Sequence, residues 1–290
     1  MSNVSLPVAA PRKTGTQRAP RALGRAIRYL LLICLTLLFL VPLYVMISAS
    51  LKTSHDAGLA QMWNPPIPLD IEGLGVAWSR LSANLLNSAQ MALPAVIISS
   101  LIGSLNGYLL TKVRFPFSNA LLVVVVVGMY IPFQAVLIPM VQFLQGLHLY
   151  GTIPGLVLVH VIYGLPITTV IFRDYYIGIP SDLVEAAQID GAGVIRTYLN
   201  IFLPLSPPGF VVAGIFQFTN IWNDFLFGLV VIPDGTRQPI TVALNNLSGT
   251  TSVDWNVVMG GALITAIPTL LVYIFLGRYF VRGLIAGSYR

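Results

Sequence analysis

The sequence predicts an all-α membrane protein with six transmembrane helices, and three observations lead there. Hydrophobic residues make up 56% of the chain and charged residues only 9%, against roughly 25% charged in soluble proteins. The apolar residues gather into runs of about 20, the length at which a helix crosses a hydrocarbon core. Lys and Arg fall unevenly between those runs, as they do when one face of a membrane retains positive charge.

The first run covers residues 29–49 and follows a segment rich in Ser, Thr, Pro, Ala and Arg. That segment, 1–28, lacks the apolar content to fold and reads as a disordered basic tail; 29–290 is the transmembrane domain. A run this long exceeds the 7–15 residues or so of a signal-peptide core, so it reads as an uncleaved helix. Cys34, the single cysteine, lies within it, which excludes an intrachain disulfide and a thiol metal cluster. The next runs are 86–110, 119–143, 152–172, 207–232 and 257–279. Between the first two lies a segment, 50–85, in which Pro65, Pro66 and Pro68 preclude a continuous helix and Trp63 and Trp78 suit a water–lipid boundary.

Thirteen of the sixteen basic residues fall on one side of this arrangement, all but Lys52, Arg80 and Arg237. Both termini are therefore expected in the cytoplasm, in a multi-pass membrane protein. The formal charge of +6 reports topology and attraction to lipid headgroups rather than nucleic acid. His55, His148 and His160 have no metal-ligand spacing and read as interfacial or packed. No Ser/His/Asp or paired-carboxylate pattern points to catalysis.

The internal loop, 173–205, is the most informative stretch. Pro180 and Ser181 form a helix-start signal, with Ser181 as N-cap and Asp182 and Glu185 in the first turn, where the helix dipole favours negative charge. Leu183, Ala186, Ala187 and Ile189 give a narrow apolar face, and Gly191 and Gly193 are stops. Val194, Ile195, Tyr198, Leu199 and Phe202 then form an amphipathic surface helix that Pro204 closes. Ser206, with Pro207 and Pro208 behind it, caps the fifth membrane helix.

Glu185-Ala186-Ala187, then Asp190-Gly191-Ala192, then Leu203-Pro204, all before the penultimate helix, resembles the internal loop of permease subunits of bacterial ATP-binding-cassette carbohydrate importers, most closely the six-helix partner in maltose-type systems. Asn87-Ser88, Trp222 to Phe227 and Tyr279 to Leu284 extend the likeness, whereas Ser288-Tyr289-Arg290 departs from it. The resemblance implies the type I importer permease fold and makes Glu185 to Gly191 a coupling helix docking on a separate ATPase. Glu185 would then contact the motor, Ala186 and Ala187 pack in its groove, Gly191 make the bend and Asp190 bond locally. It further implies a second homologous permease, two ATP-binding subunits and an external sugar-binding protein. The solute would be a mono- or oligosaccharide, with a glucose or mannose type among the candidates.

No cofactor is expected on this chain. A phosphate-gripping loop needs G-x-x-x-x-G-K-[ST], and Lys13, Lys52 and Lys112, the only lysines, have no such context. ATP and Mg therefore belong to the partner ATPase, and the chain is a non-catalytic permease. For the solute path the polar residues within membrane runs are candidates: Asn106, Tyr130, Gln134, Tyr163, Gln217, Asn220, Asn223 and Asp224. Gln217, Asn220 and Asp224 are spaced to share a helical face. Amides and rings suit a sugar's hydroxyls and C–H faces; interhelical hydrogen bonding is the other use of such residues. The competing class is an ion-gradient-driven secondary transporter, in which Asp224 would carry the coupled ion.

Overall fold

The computed structural model describes residues 18–249 and 253–288, and side chains for 24–249 and 253–278. Among the described residues every regular element is helical. The chain divides into two units, one ending at Met46 and the other starting at Ile47.

The first unit is most of α1 (Arg18–Ser50). Its apolar side chains are exposed all round, Phe39 at 79% and Leu30 at 63%, the distribution of a helix solvated by lipid. The helix already includes Arg18, the first described residue, so residues 18–28, expected in the tail, are helical instead. Their composition misleads because a helix that propagates from an apolar run needs little local propensity. The rest of the expected tail, 1–17, lies outside the described residues.

The second unit is built around α2 (Glu72–Lys112) and α5 (Ile153–Ile177). α2 starts earlier than its hydropathy suggests because Asp70 accepts the Glu72 N–H at 2.7 Å and holds the first turn. Trp78 and Arg80 therefore ride on a helix. Gly103 and Gly107 let α2 lie against the α5 backbone. A Cβ on Gly103 would sit 2.5 Å from Thr168 Cβ, and one on Gly107 2.6 Å from Arg173 N. This is the small-xxx-small contact by which membrane helices gain packing without a hydrophobic driving force. Thr168 Oγ1 reinforces it, lying 3.0 Å from Ser99 O across the interface. α12 (Trp255–Ser288) closes the core, where Trp222, buried and stacked on Phe218, donates to Thr265 O at 2.9 Å.

Four described helices are long and apolar enough to cross a membrane, and six spans result if each of two bent pairs is one span. The expected third span is one such pair: α3 (Ser118–Gly128) and α4 (Phe133–Gly146) meet at 100°. Pro132 has no N–H for the Gly128 carbonyl and forces Ile131 out of helical geometry. Pro94, Pro139, Pro166 and Pro268 sit inside continuous helices. The expected fifth span is also broken, α9 (Pro207–Trp222) giving way to α10 (Leu226–Val231). Before α9 the chain runs through α6 (Asp182–Ile189), α7 (Val194–Thr197), a π-helical turn (Tyr198–Phe202) and α8 (Leu203–Leu205). Pro204 thus lies inside the last turn rather than ending it, and Val194–Leu205 meets α9 at 76°, the second of the two bent pairs. α11 (Ile240–Leu247) follows α10 through a loop that Asn84, Asn87 and Ser88 of α2 hold. Asn84 Nδ2 donates to Gln238 O at 2.8 Å, Asn87 Nδ2 to Thr236 O at 2.9 Å, and Ser88 Oγ accepts the Ile240 N–H at 2.9 Å. Beside it, Asp234 accepts from the Thr236 hydroxyl and N–H, which with nearby Arg237 keep its carboxyl below the ordinary range.

Candidate functional site

The residues singled out from the sequence gather mainly in two places, the α6 loop and a cavity within the helices. α6 is closed by a Schellman arrangement: Gly191 N–H bonds Gln188 O at 3.0 Å and Ala192 N–H bonds Ala187 O at 2.8 Å. Gly191 is the left-handed residue, φ 75°, that this closure requires. The bend expected there is present. The expected caps differ, since neither Ser181 nor Ser206 makes a side-chain cap bond.

The faces of α6 also differ from the expected stripe. Val184 and Ala187 are buried against this chain's own core, whereas Glu185, Ala186, Gln188 and Asp190 are exposed and Ile189 is 86% exposed. The expected apolar face of Leu183, Ala186, Ala187 and Ile189 is split: Leu183, Ala186 and Ile189 are exposed, and Ala187 turns inward beside Val184. Ala187 therefore presents nothing outward, whereas Ile189 is the most exposed large apolar side chain of the helix.

Two devices tie this loop to the membrane helices, and neither was legible in advance. Lys112, at the end of α2, donates to Ile179 O at 2.5 Å and lies 3.5 Å from Ser181 Oγ. Four hydroxyls form a second tie: Tyr198 donates to Ser104 at 3.0 Å, Ser104 and Tyr176 are 2.6 Å apart, and so are Tyr176 and Ser206. Ser206 donates to Phe202 O. The chain links α2, α5, the π-helical turn and the start of α9, all within a cluster containing Tyr108, Phe172 and Phe202. π-helical turns often mark functional places.

The cavity, of about 660 Å³, opens where the two helix breaks meet α5. Met129 and Phe133 flank the first break, Asn223 to Phe225 are the second, and His160 to Ile167 line the α5 side. Irregular backbone in a membrane protein is tolerated where it is buried in protein or lines a watery cavity. Asp224 is fixed there by accepting Phe227 N–H at 3.3 Å and Gly228 N–H at 3.0 Å, so it caps α10. Its Oδ2 lies 3.6 Å from His160 Nε2, a buried nitrogen with no hydrogen-bond partner.

Of the residues predicted for a solute path, Tyr163, Gln217, Asn220, Asn223 and Asp224 line this cavity. They do so without the shared helical face, because the chain leaves helix after Trp222, ahead of Asp224. Gln217 is buried and donates to Ser99 Oγ at 3.1 Å, its amide filling the space left by Gly164. Tyr130 and Gln134 are not among the lining residues; the α3–α4 bend leaves Tyr130 80% exposed and Gln134 exposed. Asn106 Nδ2 is 3.4 Å from Thr169 Oγ1, an interhelical contact.

The family model described as "binding-protein-dependent transport system inner membrane component" matches residues 95–285, a span that includes α6 and the cavity. The chain is 49% identical over 183 residues to a "probable ABC transporter permease protein" of Pyrococcus horikoshii, covering 63% of this chain and 66% of that one. It is 34% identical over 287 residues to the xylose/arabinose import permease protein of Haloferax volcanii, 90% of this chain and 92% of the relative. In fold it is similar to a chain of a bacterial ABC transporter involved in import of the acidic polysaccharide alginate. The TM-score is 0.78 at 19% identity, over 91% of this chain and 99% of the other.

Proposed function

The chain belongs to the family of binding-protein-dependent transport system inner membrane components, and from that premise we propose that it forms half of the translocation path of an ATP-driven importer of sugars. The observation that carries this is α6: a capped helix in the matched region whose outer face offers Glu185, Ala186 and Ile189 to a partner while Val184 and Ala187 anchor it inward. Glu185 contacts the ATPase, Ile189 enters an apolar recess on it, and Gly191 turns the chain back toward the membrane.

Closure of the ATPase around ATP and Mg pulls α6. Lys112 passes the movement to α2, and the hydroxyl chain passes it to α5 and α9. The cavity at the two helix breaks is the place where such a movement changes access. This chain supplies binding, shape and coupling but no hydrolysis; two ATPase subunits, a second related permease and an external sugar-binding protein complete the system. Both termini face the cytoplasm, a reading supported by the partition of Lys and Arg. The sugar class rests on the xylose/arabinose relative and on the cavity's mixture of rings and polar groups.

The test is to purify the tagged complex from native membranes, reconstitute it with its binding protein, and follow sugar uptake. Uptake that requires ATP, resists proton and sodium ionophores and is lost in Glu185→Lys is expected. Uptake abolished by ionophores in the absence of any ATPase would promote the ion-coupled transporter and refute the proposal.

A further inference from the structure

Resting on the sugar-importer reading, we propose that His160 and Asp224 form a hydroxyl-binding subsite in this subunit that selects a neutral carbohydrate and rejects an anionic one. The imidazole is 6% exposed and its Nε2 has no partner, yet it borders the cavity. A buried polar atom without a partner is disfavoured, and the position is satisfied when a ligand group arrives. Nε2 and Asp224 Oδ2, 3.6 Å apart, are too distant to bond each other well but close enough for one hydroxyl to accept from Nε2–H and donate to the carboxylate. Asp224 is held for that role by the Phe227 and Gly228 amides.

The wall beside this pair is aromatic. Phe227 packs against His160, Tyr163 and Phe133 at ring separations of 5.7, 5.0 and 5.8 Å. All four border the same cavity. A hydroxyl clamp next to ring faces fits the alternation of O–H groups and C–H surface on a sugar ring. The charge pattern narrows the class. Asp224 is the one acidic residue among the lining residues, and no Lys or Arg is among them. A carboxylate or phosphate on the solute would meet the Asp224 charge with no lysine or arginine beside it.

The experiment uses proteoliposomes of the intact complex with its binding protein, and uptake of radiolabelled D-xylose, L-arabinose, D-glucose, maltose and D-glucuronate. ATP hydrolysis stimulated by loaded binding protein is measured in parallel as the report on assembly and coupling. His160→Phe, which keeps the ring contact and removes the polar nitrogen, is expected to lower uptake of the neutral sugar about tenfold with stimulated hydrolysis retained, and His160→Gln to recover most of it. Asp224→Asn, which keeps the shape and one of the two acceptors at the cap, is expected to raise glucuronate uptake relative to the neutral sugar about tenfold. Unchanged uptake in His160→Phe, or unchanged selectivity in Asp224→Asn, overturns the subsite. If His160→Phe does not assemble, the Asp224→Asn selectivity decides. A wild-type complex that takes up glucuronate in preference also overturns it. A wild-type complex that hydrolyses ATP but moves no neutral sugar overturns the sugar reading beneath it, which is a separate outcome.

Discussion

Ser104→Ala should destabilise the subunit more than Ser104→Ala combined with Tyr198→Phe, so a second deletion is expected to restore stability. The argument comes from the order of donors in the four-hydroxyl chain. Ser206 has one proton and directs it to Phe202 O, which can only accept. Tyr176 must then donate to Ser206, Ser104 to Tyr176, and Tyr198 to Ser104. Tyr198 is thus the head of the chain, and Tyr198→Phe removes a bond without stranding a donor, at a cost of about 0.5–1.5 kcal/mol. Ser104→Ala strands the Tyr198 hydroxyl, on a residue only 6% exposed, and should cost about 1–3 kcal/mol. Removing both leaves no orphan, so the double variant should fall near Tyr198→Phe, a coupling of roughly 1–2 kcal/mol. Equilibrium unfolding in mixed micelles of mild detergent and dodecyl sulfate, followed by helical circular dichroism, measures all three. Additive costs would show that the donors run in another order.

Three further substitutions probe separate links. Gly103→Val should separate α2 from α5 at a cost of about 1–3 kcal/mol or more, because its Cβ would lie 2.3 Å from Thr168 Oγ1 and 2.8 Å from the Thr168 carbonyl carbon; the same unfolding assay reads it, and a wild-type midpoint would contradict the close approach. Gly191→Ala should cost about 1–2 kcal/mol through backbone strain alone, since φ is 75° and nothing lies within 4 Å of the added Cβ. Gly191→Asn should cost less, a difference visible as better recovery of bound ATPase on affinity purification. Lys112→Met should leave the membrane core intact but release the turn before α6, so that protease cleavage between α5 and α6 accelerates and sugar uptake per ATP hydrolysed falls.

What the sequence made legible was set by what hydropathy and spacing can encode. The apolar runs mark the spans, and the Glu185 to Gly191 pattern marks a short helix ended by a left-handed glycine, which φ at Gly191 bears out. The breaks within two spans were hidden because the chain stays apolar through Tyr130 and Ile131 and through Phe225 and Leu226. Pro94, Pro132, Pro139, Pro154, Pro166 and Pro268 all lie in apolar runs with nothing in the sequence to rank them, and only packing decides that Pro132 breaks a helix while Pro166 and Pro268 do not. The second break has no proline; its signal was Asn223-Asp224 ahead of an apolar run, a cap hidden inside a membrane segment. His160 read as a packed histidine because its significance lies in Asp224, which reaches it only through the fold.

The elbow between α3 and α4 has a consequence for the life of the subunit before assembly. At about 1.5 Å per residue, the eleven residues of α3 reach only about half of a hydrocarbon core some 30 Å thick. The Met129 and Tyr130 N–H groups meet the Val126 and Val127 carbonyls, but Pro132 cannot meet that of Gly128, which ends the helix at depth with Tyr130 80% exposed nearby. Hydrocarbon cannot solvate such groups, whereas a companion protein surface or a column of water can. A newly made copy is accordingly less well matched to lipid before assembly than after it.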